Sequence, residues 1–218
     1  MPELIPGITK TVALRVFTLI GALVLGLSVL GFSSSLSAAS EAGSAREAMK
    51  ETIEQALKVL EDESLKSPEK SRERLEILEE IIGKRFDYRE MGKRTLGKHW
   101  QQFSEADREE FVRLFQRFLS RTYAGNVDGY SGEQVQYLKE RRKGNFAEVQ
   151  TLVKSDKSTT SISYRLLKRS NTWKVYDVVI EGVSLVKNFR SQFGRLIEAE
   201  SAKGLLEKLR MKTTGSKS

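Results

Sequence analysis

Histidine occurs once in this chain, at position 99, and cysteine does not occur. The side chains that most often carry metal, nucleophilic or proton-transfer chemistry are therefore nearly missing. A thiolate zinc site, a multi-histidine metal site, a disulfide and a cysteine nucleophile are all excluded. A Ser-His-Asp relay would have to run through His99 alone. His99 lies beside Trp100 in a stretch rich in Lys and Gln, where a surface or capping residue is the simpler reading. Carboxylates are abundant, but most, such as Glu76, Glu79 and Glu80, alternate with Lys and Arg on what read as solvated helix faces. Asp177 and Glu181 differ because they interrupt the apolar run Trp173–Val183. Residues four apart in a strand share a face, so the two would make an acid–base pair for a small exported enzyme acting on a hydrophobic substrate. The alternative, which is favoured, is an Asp bonded to neighbouring backbone or Arg and a second carboxylate at the strand's end. No glycine-rich phosphate loop of P-loop or Rossmann type is present, and no cofactor is expected.

These residues sit on elements that the hydrophobic pattern places in order. Ala45, Met49, Ile53, Ala56-Leu57 and Leu60 recur at helical spacing over 45–62. Ser67-Pro68 supplies an N-cap and a helix-compatible proline for a second amphipathic helix carrying Leu75, Leu78 and Ile81-Ile82. Asp87 with Glu90 has capping-box character and predicts a short third helix ending near Gly97. Ser104 opens a fourth, whose apolar face holds Phe111, Leu114-Phe115, Phe118-Leu119 and Tyr123; residues 125–132 then read as a loop.

Strand alternation follows: Val135 and Tyr137, then Ala147, Val149 and Val153, then Ile162, Tyr164 and Leu166. In the last strand, Trp173 to Val183, one side holds Tyr176, Val178 and Ile180 and the other Trp173, Val175 and Val179, which predicts a central strand covered twice. Short polar connections fit an antiparallel meander of about four strands. Leu185, Phe189, Phe193 and Leu196-Ile197 mark a further helix, and Leu205-Leu206 with Leu209 a final short one. The fold class is α+β, with helices packed on one face of a twisted antiparallel sheet.

The first forty residues have their own composition. Lys10 and Arg15 precede an apolar run from Val16 to about Phe32, and Ser37-Ala38-Ala39 closes a small-residue stretch. That is the layout of a secretory signal peptide over 1–39; an uncleaved anchor over 12–32, on a structural or adaptor protein, is the competing reading. Residues 40–212 would then form one domain and 213–218 a frayed tail. The formal net charge of +8 falls to about +7 when Lys10, Arg15 and Glu3 leave with the leader. Such a balance favours acidic partners, although the basic residues are scattered and no nucleic-acid motif appears, so nucleic acid is not expected. Arg141, Arg142 and Lys143 read as a solvated turn.

Two blocks of the sequence carry a family resemblance. The first has Phe86-Asp87-Tyr88, Met91, Leu96-Gly97 with Trp100, and the Phe-rich helix closing on Thr122-Tyr123. The second runs from Trp173-Lys174-Val175-Tyr176-Asp177 through Glu181–Leu185 to Phe189-Arg190-Ser191-Gln192-Phe193. Over roughly 45–210 the chain resembles the MlaC family of toluene-tolerance auxiliary proteins. The resemblance implies a non-enzymatic periplasmic phospholipid carrier with an apolar cavity between sheet and helices. It would work between an outer-membrane lipoprotein–porin complex and an inner-membrane ABC transporter, maintaining outer-membrane lipid asymmetry. Periodicity alone does not separate a plain core from a cavity lining; given the resemblance, the candidate lipid-binding residues are Trp100, Phe115, Leu119, Tyr123, Val149, Ile162, Tyr164, Val178 and Ile180. Trp100 and Tyr123 fall in the shared motifs, and the strand residues follow from their alternating faces.

Overall fold

Ser44 turns the chain into its first helix by accepting a hydrogen bond from the Glu47 amide at 3.0 Å on Oγ, satisfying one of the orphan donors of a helix N-terminus. The computed structural model describes residues 43–128, 130–155 and 158–214, the side chains of 123–128 excepted. The leader assigned to residues 1–39 and the tail 215–218 lie outside the described residues. Helix α1 spans Ala45–Glu61. The expected start of the second helix is corrected: Ser67 makes no side-chain cap, Pro68 opens a 3₁₀ turn over Pro68–Lys70, and α2 runs Ser71–Arg85.

Helix α3, Tyr88–Leu96, has only half of the expected capping box. The Asp87 carboxylate accepts from the Glu90 amide at 2.8 Å, but Glu90 turns away to Arg94 and Arg169. The Asp87 amide instead donates to Val175 O at 2.8 Å, tying this corner to the sheet. Gly97 ends α3 with φ 55° and ψ −122°, a conformation that L side chains avoid. A 3₁₀ turn over Gly97–Gln102 leads to α4, Glu105–Asp128. Residues 125–128, expected in a loop, therefore continue the helix.

The sheet is an antiparallel meander in the order β1-β2-β3-β4-β5. Its strands are Gln134–Lys143, Phe146–Lys154, Thr159–Arg169, Thr172–Ile180 and Val183–Ser184. The fifth strand was not expected. Glu181 and Gly182 both take positive φ, 48° and 79°, and fold the chain back so that Ile180 pairs with Val183. Ser170 and Asn171, at 47° and 63°, turn β3 into β4 in the same left-handed manner, whose twist matches that of paired strands.

A bulge in β4 corrects the predicted alternation. Arg165 pairs with Asp177 and Leu166 with Val175, leaving Tyr176 as the extra residue. The bulge changes the facing rule partway along, so Trp173, Val175 and Val178 all join one core and Asp177 is turned to the opposite side. The strand is apolar on both nominal faces for this reason, not from lying at the sheet's centre; only two-residue β5 lies beyond it.

Helix α5, Leu185–Thr214, breaks at Ser201 (φ 92°), giving the two expected helical pieces. The second runs through 213 and 214, with Thr213 buried, rather than fraying there. Two cores result. Phe111, Phe115 and Phe118 of α4 interlock with Phe189 and Phe193 of α5. The first half of α1, through Ala45 and Met49, closes over Ala147, Val149, Leu166 and Trp173 of the sheet. Phe86 and Leu185 border both.

Candidate functional site

Burial decays along α1. Ala45 and Met49 are 0% and 1% exposed, yet Ile53, Ala56, Leu57 and Leu60, on the same apolar stripe, are only half-buried. Ile53, Ala56 and Leu57 border a space: a cavity of about 360 Å³ between α1, α2 and the inner face of β3 and β4. From α1 come Met49, Ile53 and Leu57; α2 contributes Leu75, Leu78 and Ile82. The chain segment around α3 adds Phe86, Tyr88 and Met91, and α5 adds Leu185. Ile162 and Tyr164 of β3, Val178 and Ile180 of β4 and Leu119 of α4 complete the apolar wall.

Thr52, Ser120 and Glu79 of the wall are already bonded. Ser120 of α4 donates to Glu79 of α2. Thr52 Oγ1 donates to Ala48 O at 3.0 Å and accepts from Arg85 Nε at 2.8 Å. Arg85 in turn holds Trp173 O at 3.0 Å and Glu51 at 3.2 Å. Burial, reinforced by the nearby Glu79 charge, pushes the Tyr88 phenol up to about 12. Burial likewise raises Tyr164 to about 12, against an opposing hydrogen bond with Thr151. Both phenols stay neutral at ordinary pH. Such a wall offers dispersion contacts and shelter from water, and almost nothing to polarise a substrate.

The catalytic alternative finds no site. The Asp177 carboxylate, 3% exposed, accepts from Ser184 Oγ at 2.7 Å, the Val186 amide at 3.1 Å and Arg165 at 3.1 Å. It caps the start of α5 and locks β5 to β4. Glu181 lies in the exposed turn, where it accepts from the Ser161 amide, and the strand rule that would put it on one face with Asp177 stops at Ile180. His99 is corrected from surface residue to buried residue, 6% exposed, because the 3₁₀ turn rotates it inward. Its Nε2 stands 3.8 Å from Glu198, and it is not in the cavity wall. Among the described residues, no three metal-ligating side chains cluster, and no helix is long and apolar enough to cross a membrane.

The structure brings five of the candidates together in the wall: Leu119, Ile162, Tyr164, Val178 and Ile180. Three others belong to packed interior instead. Phe115 stacks on Phe111 at 5.5 Å and meets Phe189 edge-on. Trp100 lies under the guanidiniums of Arg108 and Arg89, at 5.3 and 5.8 Å. Val149 sits where α1 is still closed on the sheet. The side chain of Tyr123 lies outside the described residues. The α1–α2 half of the wall was missed, although the stripe Met49, Ile53, Leu57, spaced four apart, was visible as a helix face. Phe86, Tyr88 and Met91 were visible too, as part of a motif rather than as a surface.

A family model described as MlaC protein matches residues 50–211. A relative in Haemophilus influenzae, the intermembrane phospholipid transport system binding protein MlaC, is 25% identical over 124 residues. That match covers 54% of this chain and 58% of the relative, so the chain spans less than two thirds of the relative's length. A solved structure of a phospholipid-binding protein from Ralstonia solanacearum, in complex with a phospholipid, superposes with a TM-score of 0.71. It covers 78% of this chain and 97% of that one at 24% identity, a likeness of fold.

Proposed function

The chain belongs to the MlaC family, and from that premise we propose that it is a carrier that holds phospholipid by its acyl tails and exchanges it without covalent chemistry. The cavity of about 360 Å³ is the observation that carries this reading. Exposing a methylene to water costs roughly 0.8 kcal/mol, so a two-tailed lipid crosses an aqueous gap only inside a substitute for the bilayer interior. An apolar wall whose Thr52, Ser120 and Glu79 are already bonded suits hydrocarbon, and the charged head remains outside where it keeps its hydration. The volume lies near the low end of ligand-sized cavities, ~300–1,000 Å³. Seating two tails therefore requires the wall to spread. The α1–α2 side is the one to give, since its apolar stripe is half-buried while the phenylalanine core is interlocked.

In this reading residues 1–39 export the chain to the periplasm. There it trades lipid between an outer-membrane lipoprotein–porin complex and an inner-membrane ABC transporter, in support of outer-membrane lipid asymmetry. The partners' energetics set the direction, because a passive carrier has none of its own. No cofactor is required, and ATP is consumed by the transporter.

Native mass spectrometry of the protein expressed with its leader tests the proposal. The expected result is about one phospholipid per chain, and a Val178→Trp variant, which fills the cavity, should keep its fold and lose most of that cargo. A lipid-free parent, or a variant carrying as much lipid as the parent, would sink the reading.

A further inference from the structure

The two long hairpins turn side by side at one end of the sheet. Phe146 pairs with Leu167, and the Lys168 amide donates to Asn145 O at 2.8 Å, so the β1–β2 and β3–β4 turns form one pole. Every residue of Arg141–Phe146 is exposed, as is every residue of Arg169–Thr172. Arg141, Arg142 and Lys143 lie in the first stretch, Arg169 in the second with Lys168 beside it, and Lys174 in the neighbouring row of the sheet.

The nearby carboxylates already have partners, and of the pole's cations they hold Arg169. Glu140 accepts from the Arg46 amide, Glu148 pairs with Arg165, and Asp87 with Glu90 holds Arg169. Among the described residues, Lys139, Arg141, Arg142, Lys143 and Lys168 have no carboxylate partner within ion-pair distance. Arg142 and Lys168 are held at the pole by the Trp173 ring, at 5.2 and 5.7 Å from its centroid. Phe146, 46% exposed, leans edge-on against Tyr176 at 6.1 Å.

We propose that this pole docks reversibly on an anionic lipid bilayer. Cations gathered at two adjacent turns beside an exposed aromatic ring match a flat, negatively charged surface that also accepts an apolar group at its interface. The same charge density opposes pairing with a second copy along the β1 edge. None of these residues borders the cavity, and the strand ends that do, at Ile162 and Ile180, lie at the other end of β3 and β4. A docked molecule thus presents its cavity-bearing end away from the lipid. The contact is a tether, separate from cargo loading, and it stands or falls independently of the carrier reading.

Sedimentation with vesicles tests it. Vesicles of phosphatidylcholine mixed with an equal part of phosphatidylglycerol should pull down the protein at low salt and release it at high salt. Vesicles of phosphatidylcholine alone should not. Arg141→Ser and Lys143→Ser should each weaken binding roughly fivefold and Phe146→Ser should weaken it further, with melting temperature and lipid content unchanged. In the unaltered protein, vesicle-dependent protection from hydrogen exchange should fall on residues 141–146 and 168–174. The proposal is overturned by equal binding to both vesicle types, by variants that sediment like the parent, or by protection elsewhere. It is also overturned if the pole ignores both vesicles and is retained only by an acidic protein surface.

Discussion

Asp177 and Val178 are neighbours in sequence that do opposite work, and the bulge at Tyr176 decides which does which. Val178 is delivered to the cavity wall; Asp177 goes to the far side, where it collects three donors. Removing a buried carboxylate leaves Arg165, Ser184 and the Val186 amide short of an acceptor. Asp177→Ala should therefore destabilise the fold by roughly 2–4 kcal/mol, read as a shift in the denaturation midpoint. Had Asp177 been a catalytic base, the variant would instead retain stability and lose turnover. Part of this was legible in advance: an Asp inside an apolar strand needs a backbone or Arg partner, and Arg165 is that partner. What alternation misassigned was the company Val178 keeps, because a period of two carries no information about an inserted residue.

At the scale of elements, local chemistry was legible wherever a side chain caps its own helix. Asp87 and Ser104 bond the amides of Glu90 and Asp107, as their spacing requires. Gly97 is the corresponding stop. Its φ of 55° with ψ −122° suits only glycine, and an added Cβ would lie 3.3 Å from Arg190 Nε, which donates to the last-turn carbonyl of Arg94. Gly97→Ala should cost roughly 1–3 kcal/mol, measurable by thermal unfolding; an unchanged melting temperature would mean that this corner relaxes freely. Ser67-Pro68 shows where such signals mislead. A proline that fits the first turn of an α-helix fits a 3₁₀ turn equally well, and the capping hydroxyl was not used. Likewise, the glycine-containing stretch 125–128 reads as loop by composition but continues a helix already nucleated by its phenylalanine face.

For the molecule as a whole, the two-layer architecture followed from the order of periodicities, whereas the hollow did not. A stripe such as Met49, Ile53, Leu57 looks the same in sequence whether a side chain or empty space stands opposite it. Only the relative placement of α1, α2 and the sheet separates the two. The buried phenols make a global prediction. Tyr88 and Tyr164 titrate near 12 when folded but near 10 once unfolded. Above pH 10 the unfolded chain therefore releases protons that the folded one retains, and stability falls as pH rises from about 10 towards 12. Tyrosinate absorbance should appear with a cooperative loss of circular dichroism in that window; smooth ionisation of both rings in a still-folded protein would contradict the burial.

The uneven closure of α1 has a consequence for how copies of this protein age. One half of the helix is welded to the sheet while the other borders a void, and a void forfeits the contacts that would brace it. Any guest that fits only the native form adds to its stability by mass action. A vacant copy is thus the frailer one, sampling frayed conformations more often and meeting proteases sooner. Turnover of the population would then follow occupancy, with idle molecules culled ahead of those in service.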